Sequence, residues 1–260
     1  MITSLSNERV KRVRLLQAQR RARLRQGRFV IEGVRLIEEA VLAGTPLEFV
    51  FYIRGIEEEG RARALLATLR ERGVPLLEVS DAVMRACSDT ETPQGLLAVA
   101  EIPRLSPPSP LAFVLVVDQL RDPGNLGTIL RTAAAAGVEL VLLAPGTVDV
   151  TNPKVVRSGM GAHFRLPLRQ QGWAEIAATL SGLDIWLAEA GEGQPYWQVD
   201  WCRPVALVVG GEAEGTSPEA AALATGRVTI PMPGGVESLN AAVAAGVLLF
   251  EIVRQRAQQA

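Results

Sequence analysis

Two glycine-bearing loops late in the chain carry the residues best suited to closing backbone around a small ligand. Gly210-Gly211-Glu212-Ala213-Glu214-Gly215 follows the apolar run 205–209, and Ile230-Pro231-Met232-Pro233-Gly234-Gly235 follows 227–230. Glycine permits close main-chain approach, so such loops at strand ends make a pocket wall. The second loop leads through Val236-Glu237-Ser238-Leu239-Asn240 into an alanine-rich run ending near Arg254 and Arg256. Ser238 or Glu237 is expected to start that last helix, with Glu237 at its positive end and the arginines at its negative end. An earlier loop, 122–127, offers Asn125 at a helix start, with Arg131 about a turn and a half further on.

Nucleotide chemistry of the familiar kinds does not fit these loops. Gly210 and Gly215 have the separation of a phosphate-binding loop, but Thr216 stands where its lysine belongs, which argues against ATP or GTP hydrolysis. The glycine spacing is also wrong for a dinucleotide fingerprint, and no ribose-binding acid follows one. A nicotinamide-dependent oxidoreductase is therefore disfavoured.

The elements that must position these loops read as two domains. Residues 5–26 form a helix with sparse apolar positions at Val10, Val13, Leu16 and Leu24, stopped by Gly27. Strands at 28–31, 47–53, 75–79 and 95–100 alternate with helices at 34–43, 57–72 and 81–87, the pattern of a small α/β layer domain. Four prolines between Pro103 and Pro110 cannot sit inside a sheet or helix, so 103–110 is a stiff linker between domains 1–102 and 111–260. Beyond it, strands at 113–117, 139–143, 184–188, 205–209 and 227–230 predict a mostly parallel sheet. Helices are expected at 128–136, 155–160, 173–180 and the C-terminus, and 164–168 is extended. Ligands of such sheets bind outside the carboxyl ends of the strands, the edge at which all the glycine-bearing loops fall.

Composition narrows the class. Across 260 residues, 48% are hydrophobic, ample for a core, yet no apolar run approaches the roughly 20 residues that cross a bilayer. The N-terminus lacks the apolar segment of a secretory signal. Cys87 and Cys202 are expected as small buried residues, and with His163 as the single histidine no zinc set is plausible. A metal-free cytoplasmic protein is the expectation. A net charge of −1 conceals ten basic residues between Arg9 and Arg35, opposed nearby only by Glu32 once Glu8 is passed. Such a segment suits phosphate backbones, and Lys11, Arg12, Arg14, Arg23, Arg25 and Arg28 are the candidate RNA contacts.

Taken together, Asn125-Leu126-Gly127 with Arg131, Gly210-Gly211-Glu212 with Gly215, and Ile230-Pro231-Met232 with Ser238-Leu239-Asn240 closely resemble the three motifs of the SpoU-type RNA ribose 2′-O-methyltransferases of the SPOUT superfamily. The match covers about residues 111–257. The leading domain resembles, more loosely, the substrate-binding domain often placed ahead of it, related to a ribosomal-protein fold, through Phe29-Val30-Ile31-Glu32-Gly33 and the basic helix before it.

The resemblance implies an α/β fold whose parallel sheet has helices on both faces and a deep C-terminal trefoil knot. It implies S-adenosyl-L-methionine as cofactor, bound at Gly210, Ile230 and Leu239 with Gly211 and Met232 close by. It places Arg131 at the reacting hydroxyl, with Asn125, Glu212, Ser238 and Asn240 shaping the site. It also implies a homodimer, for which Val243, Val247, Leu248 and Phe250 could supply contact area. Ribosomal RNA, 23S foremost, is the expected substrate. The alternatives are a transfer-RNA methyltransferase and a non-catalytic RNA- or ribosome-binding module.

Overall fold

The basic N-terminal stretch does not make one helix. In the structure, a computed structural model describing residues 1–58, 60–211 and 215–259, it forms α1 (Glu8–Ala18) and α2 (Arg20–Gln26), broken at Gln19 in an extended conformation. The reason is Arg23. Its side chain, 4% exposed, turns back so that Nη1 donates to the carbonyls of Leu16 (2.7 Å) and Gln17 (3.1 Å), which α1 leaves unpaired at its end. Its Nη2 reaches Asp149 at 2.5 Å and its Nε reaches Thr151 at 3.0 Å.

That contact belongs to the first of two compact units, Met1–Pro103 together with Asp149–Phe164. Here β1 (Arg28–Glu32), α3 (Val34–Leu42), β2 (Leu47–Ile53), α4 (Gly60–Glu71), β3 (Leu76–Val79), α5 (Asp81–Cys87) and β4 (Leu96–Glu101) follow in order. The sheet order is β1-β4-β2-β3, antiparallel except for the β2–β3 pair. One face buries Phe29, Ile31, Val50 and Leu96 with α3 and α4; the other buries Val30, Phe49, Phe51 and Val99 with α1 and α5. Val156 and Phe164, from the later segment, complete the first of these cores. The sequence reading assigned that segment to the second domain, but its apolar side chains pack here.

The second unit comprises Arg104–Val148 and Arg165–Ala260. In chain order its elements are β5 (Phe113–Val117), α6 (Pro123–Ala135), β6 (Leu140–Leu143), β7 (Leu168–Gln170), α8 (Trp173–Thr179), β8 (Asp184–Ala188), β9 (Gln194–Pro195), β10 (Val205–Val209), α9 (Pro218–Leu223), β11 (Gly226–Thr229) and α10 (Ala241–Ala257). The helix Pro153–Ser158, α7, lies between β6 and β7 in sequence but in the first unit. All pairs in the sheet are parallel, in the order β7-β6-β5-β10-β8-β11-β9. The wholly apolar β5 and β10 lie side by side at its centre and are buried on both faces, as parallel strands require. Val114, Val116, Ala206 and Val208 face α8 and α9. On the opposite face the Arg256 guanidinium of α10 sits 4.8 Å over the Phe113 ring, and α6 packs on α10.

Two differences from the sequence reading bear on the site. Helix α6 begins at Pro123, not 128, because Asp122 caps it by accepting the Asn125 N–H at 2.7 Å and proline suits the first helical turn. The first motif is thus helix, not loop. Helix α10 begins after Asn240, whose Oδ1 accepts from the N–H groups of Ala242 (3.0 Å) and Val243 (3.3 Å), so neither Ser238 nor Glu237 is its cap.

Candidate cofactor and active site

Chain order reverses around β5: β6 lies on one side of it and β10 on the other, so their carboxyl ends open a crevice. Its floor is tied by the Asp118 N–H donating to the Val209 carbonyl at 2.9 Å. The Asp118 carboxylate is fully buried and accepts from the Ser217 N–H at 2.6 Å, fixing the far end of the loop that follows β10. Ser217 in turn caps α9.

Gly210 and Gly211 are dictated by this packing. Gly211 and Gly215 exchange N–H···O bonds of 3.1 Å in each direction, closing the loop upon itself. A Cβ at position 210 would stand 2.3 Å from the Gly215 oxygen, and one at 211 would stand 2.7 Å from the Gln119 oxygen. Both obstacles are backbone, which cannot swing aside. Gln119 itself has φ of 53°, unusual for a residue with a side chain. The glycines are therefore required by the neighbouring main chain before any ligand is considered.

Behind that loop lies a cavity of about 540 Å³, within the range of small-ligand sites. Of the residues expected at the cofactor, Gly210, Gly211, Ile230, Met232 and Leu239 all line it, and Ser238 and Asn240 stand at its wall. Val209, Val228, Ala241, Ala244 and Leu248 supply apolar surface. The sequence reading missed Ala188, Glu189 and Ala190, although they follow a strand at the same carboxyl edge. Among the described lining residues Glu189 carries the only ionisable side chain.

Asn125 and Arg131 do not line the cavity. Asn125 is connected to it: the Asn240 Nδ2 donates to Asn125 Oδ1 at 3.0 Å, so the residue that caps α10 also ties it to the start of α6. Arg131 is exposed on α6 and has no ion pair or hydrogen bond among the described residues. Glu212 lies outside the described residues. Apolar walls, close backbone and a polar rim suit an adenosyl group, so these residues fit S-adenosyl-L-methionine.

The candidate RNA contacts separate by their partners. Arg23, counted among them in the sequence, is a correction: burial and its bonds to Asp149, Thr151 and α1 carbonyls occupy it. Arg12 donates from Nη1 and Nη2 to Glu48 and from Nε to Gln26, and Arg28 lies 3.6 Å from Glu48 and 3.3 Å from Glu101. Lys11 pairs with Glu8 at 2.8 Å on an exposed helix face. Arg14 and Arg25 are exposed, with no ion pair or hydrogen bond among the described residues. Among these residues there is no group of three or more His, Cys, Asp or Glu arranged for a metal ion, and no helix long and apolar enough to cross a membrane.

Comparison with known proteins bears on this geometry. Residues 112–250 match the model of the SpoU rRNA Methylase family, and residues 7–98 match that of the MRM3-like substrate binding domain. An uncharacterised tRNA/rRNA methyltransferase of Synechocystis is 37% identical, over 98% of this chain and 94% of its own. The 23S rRNA (guanosine(2553)-2′-O)-methyltransferase RlmP of Bacillus subtilis is 32% identical, over 96% of this chain and 98% of its own. The crystal structure of the SpoU methyltransferase AviRb from Streptomyces viridochromogenes with AdoMet superposes with a TM-score of 0.86 at 32% identity, covering 96% of this chain and 98% of that one.

Proposed function

This chain belongs to the SpoU rRNA methylase family, and from that premise we propose that it transfers a methyl group from S-adenosyl-L-methionine to a ribose 2′-hydroxyl of 23S ribosomal RNA. The observation that carries the reading is the convergence of the loops after β10 and β11 and the cap of α10 on one cavity at the sheet's carboxyl edge. When bound there, the cofactor supplies an activated methyl on a sulfonium. What remains for the protein is alignment of the hydroxyl and removal of its proton.

Gly210, Gly211, Ile230 and Leu239 hold the adenosyl group mainly through backbone, with Met232 packed beside it. Asn125, Ser238 and Asn240 order the rim facing RNA. A guanidinium stays protonated, so Arg131 is not a base; it binds the phosphate next to the reacting ribose and polarises the 2′-hydroxyl. A phosphate oxygen or Glu212 receives the proton. Because Arg131 does not line the cavity of its own chain, a homodimer in which a second copy supplies it completes the site. A knotted C-terminus is part of the same proposal, supported by α10 returning to pack on α6. Arg14 and Arg25 are the first RNA contacts to consider in the leading domain, and the cytoplasm is the expected compartment.

The test is transfer of labelled methyl from S-adenosylmethionine to ribosomal RNA from cells lacking this protein. Label should map to a ribose 2′-oxygen, and Arg131→Ala should lower kcat/KM by about two to three orders of magnitude, as for removal of a preorganised charge-stabilising donor. Wild-type turnover by Arg131→Lys would exclude a requirement for the planar guanidinium.

A further inference from the structure

The geometry points to Glu189 as the residue that recognises the ribose hydroxyls of the cofactor's adenosine, an inference that rests on the methyl-transfer reading. Glu189 immediately follows β8, and its N–H donates to the Val228 carbonyl at 3.0 Å, so its backbone is fixed against β11. Its side chain is only 19% exposed and is held at both oxygens: Thr216 Oγ1 donates to Oε1 at 3.1 Å, and Arg227 Nη1 donates to Oε2. The carboxylate thus reaches the cavity wall already oriented.

The chemistry selects the ligand group. A carboxylate offers about four acceptor sites on its two oxygens, and the described partners use one on each. One acceptor on each oxygen is left, the arrangement that receives a pair of neighbouring hydroxyls. Arg227 already offsets the charge, so Glu189 has little net field to spend on a sulfonium but keeps its capacity to accept. The rest of the described wall gives a hydroxyl few side-chain acceptors: it is largely apolar or glycine, the Thr216 hydroxyl donates to Glu189, and the Asn240 carbonyl caps α10. A ribose placed here without Glu189 would bury its hydroxyls poorly matched.

Titration calorimetry of the full-length protein tests this, using S-adenosylmethionine, S-adenosylhomocysteine and the 2′-deoxy and 3′-deoxy analogues of the latter. Glu189→Gln should bind both parent compounds roughly ten- to a hundred-fold more weakly, the range for losing a hydrogen bond to a charged group. Wild type should lose affinity for at least one deoxy analogue, and the variant should lose little further, since the two changes remove the same contact. Deoxy analogues binding wild type as tightly as the parent would overturn the assignment without reference to any variant. So would a Glu189→Gln loss that is equal for parent and analogues, or confined to S-adenosylmethionine. Arg227→Gln, which leaves the carboxylate in place, should still discriminate against the deoxy analogues. Failure of wild type to bind either parent compound would instead overturn the methyl-transfer reading, and this one with it.

Discussion

Asn240 joins two duties in one side chain, and the duties can be separated. Its Oδ1 caps α10 while its Nδ2 donates to Asn125. Asn240→Ala should lose about 1 kcal/mol of stability from the missing cap, measured by urea denaturation, together with methyl transfer. Asn240→Asp keeps an acceptor for the helix N–H groups but has nothing to donate to Asn125. It should retain nearly all the stability and still lose most of the transfer; full activity in that variant would show the Asn125 contact to be dispensable. The sequence singled out Asn240, but not its capping role, because Ser238 and Glu237 are equally plausible helix starters until the path of the chain is known. Glu189 was hidden for a related reason. A glutamate after a strand looks like solvent-facing polarity until Arg227 and Thr216 are seen to hold it at the cavity.

Elements were legible where local pattern and tertiary demand agree. The strands at 113–117 and 205–209 emerge with the boundaries read from their apolar runs, since a central parallel strand must be apolar on both faces, and 184–188 emerges with its read boundaries although only Ile185 and Leu187 in it are buried. The start of α6 was not, because Gly124 and Gly127 suggest a loop while the Asp122-Pro123 cap outweighs them. The break at Gln19 depends on Arg23 meeting a carboxylate 126 positions away, which no local window contains. The segment Asp149–Phe164 also carries a pH-dependent element. His163 Nε2 donates to the Val150 carbonyl at 2.7 Å, and its Nδ1 is buried with no hydrogen-bond partner among the described residues. Burial lowers its pKa below 6.5, against smaller raising effects from the Val150 bond and Asp149. The unfolded chain then binds the extra proton, so this contribution to stability is present above about pH 6.5 and is lost as pH falls below it. Urea midpoints measured from pH 7.5 to 5 should decline more steeply for wild type than for His163→Gln, which keeps a donor for Val150. Parallel curves would refute a role for His163.

Across the whole molecule, the proposed dimer makes a claim that a monomeric site would not. On α10, Val243 and Phe250 are exposed at 53% and 49%, and Val247 between them is half-buried, at spacings that place the three on one face. Leu248, the other residue considered for contact, is buried in its own chain at 1% exposure and lines the cofactor cavity. Phe250→Glu should weaken self-association by a factor of about thirty or more, the effect of losing a central aromatic anchor, as read by sedimentation. Cofactor affinity should persist, because Gly210, Gly211, Ile230, Met232 and Leu239 meet at the cavity within one chain, while methyl transfer falls with the dimer. Loss of binding and transfer together, with the dimer intact, would point to a folding defect. The division into units has a separate consequence for modularity. The backbone passes between them at residues 103–104, 148–149 and 164–165, so neither unit is a continuous stretch of sequence. A cut at the proline-rich segment that looks so natural a seam would strand Arg23 without Asp149 and Thr151, leaving a guanidinium sealed inside with no counter-charge. The leading domain is therefore not a detachable reader that a related enzyme could exchange by simple fusion. Any swap must carry the borrowed segment from the middle of the catalytic sequence along with it.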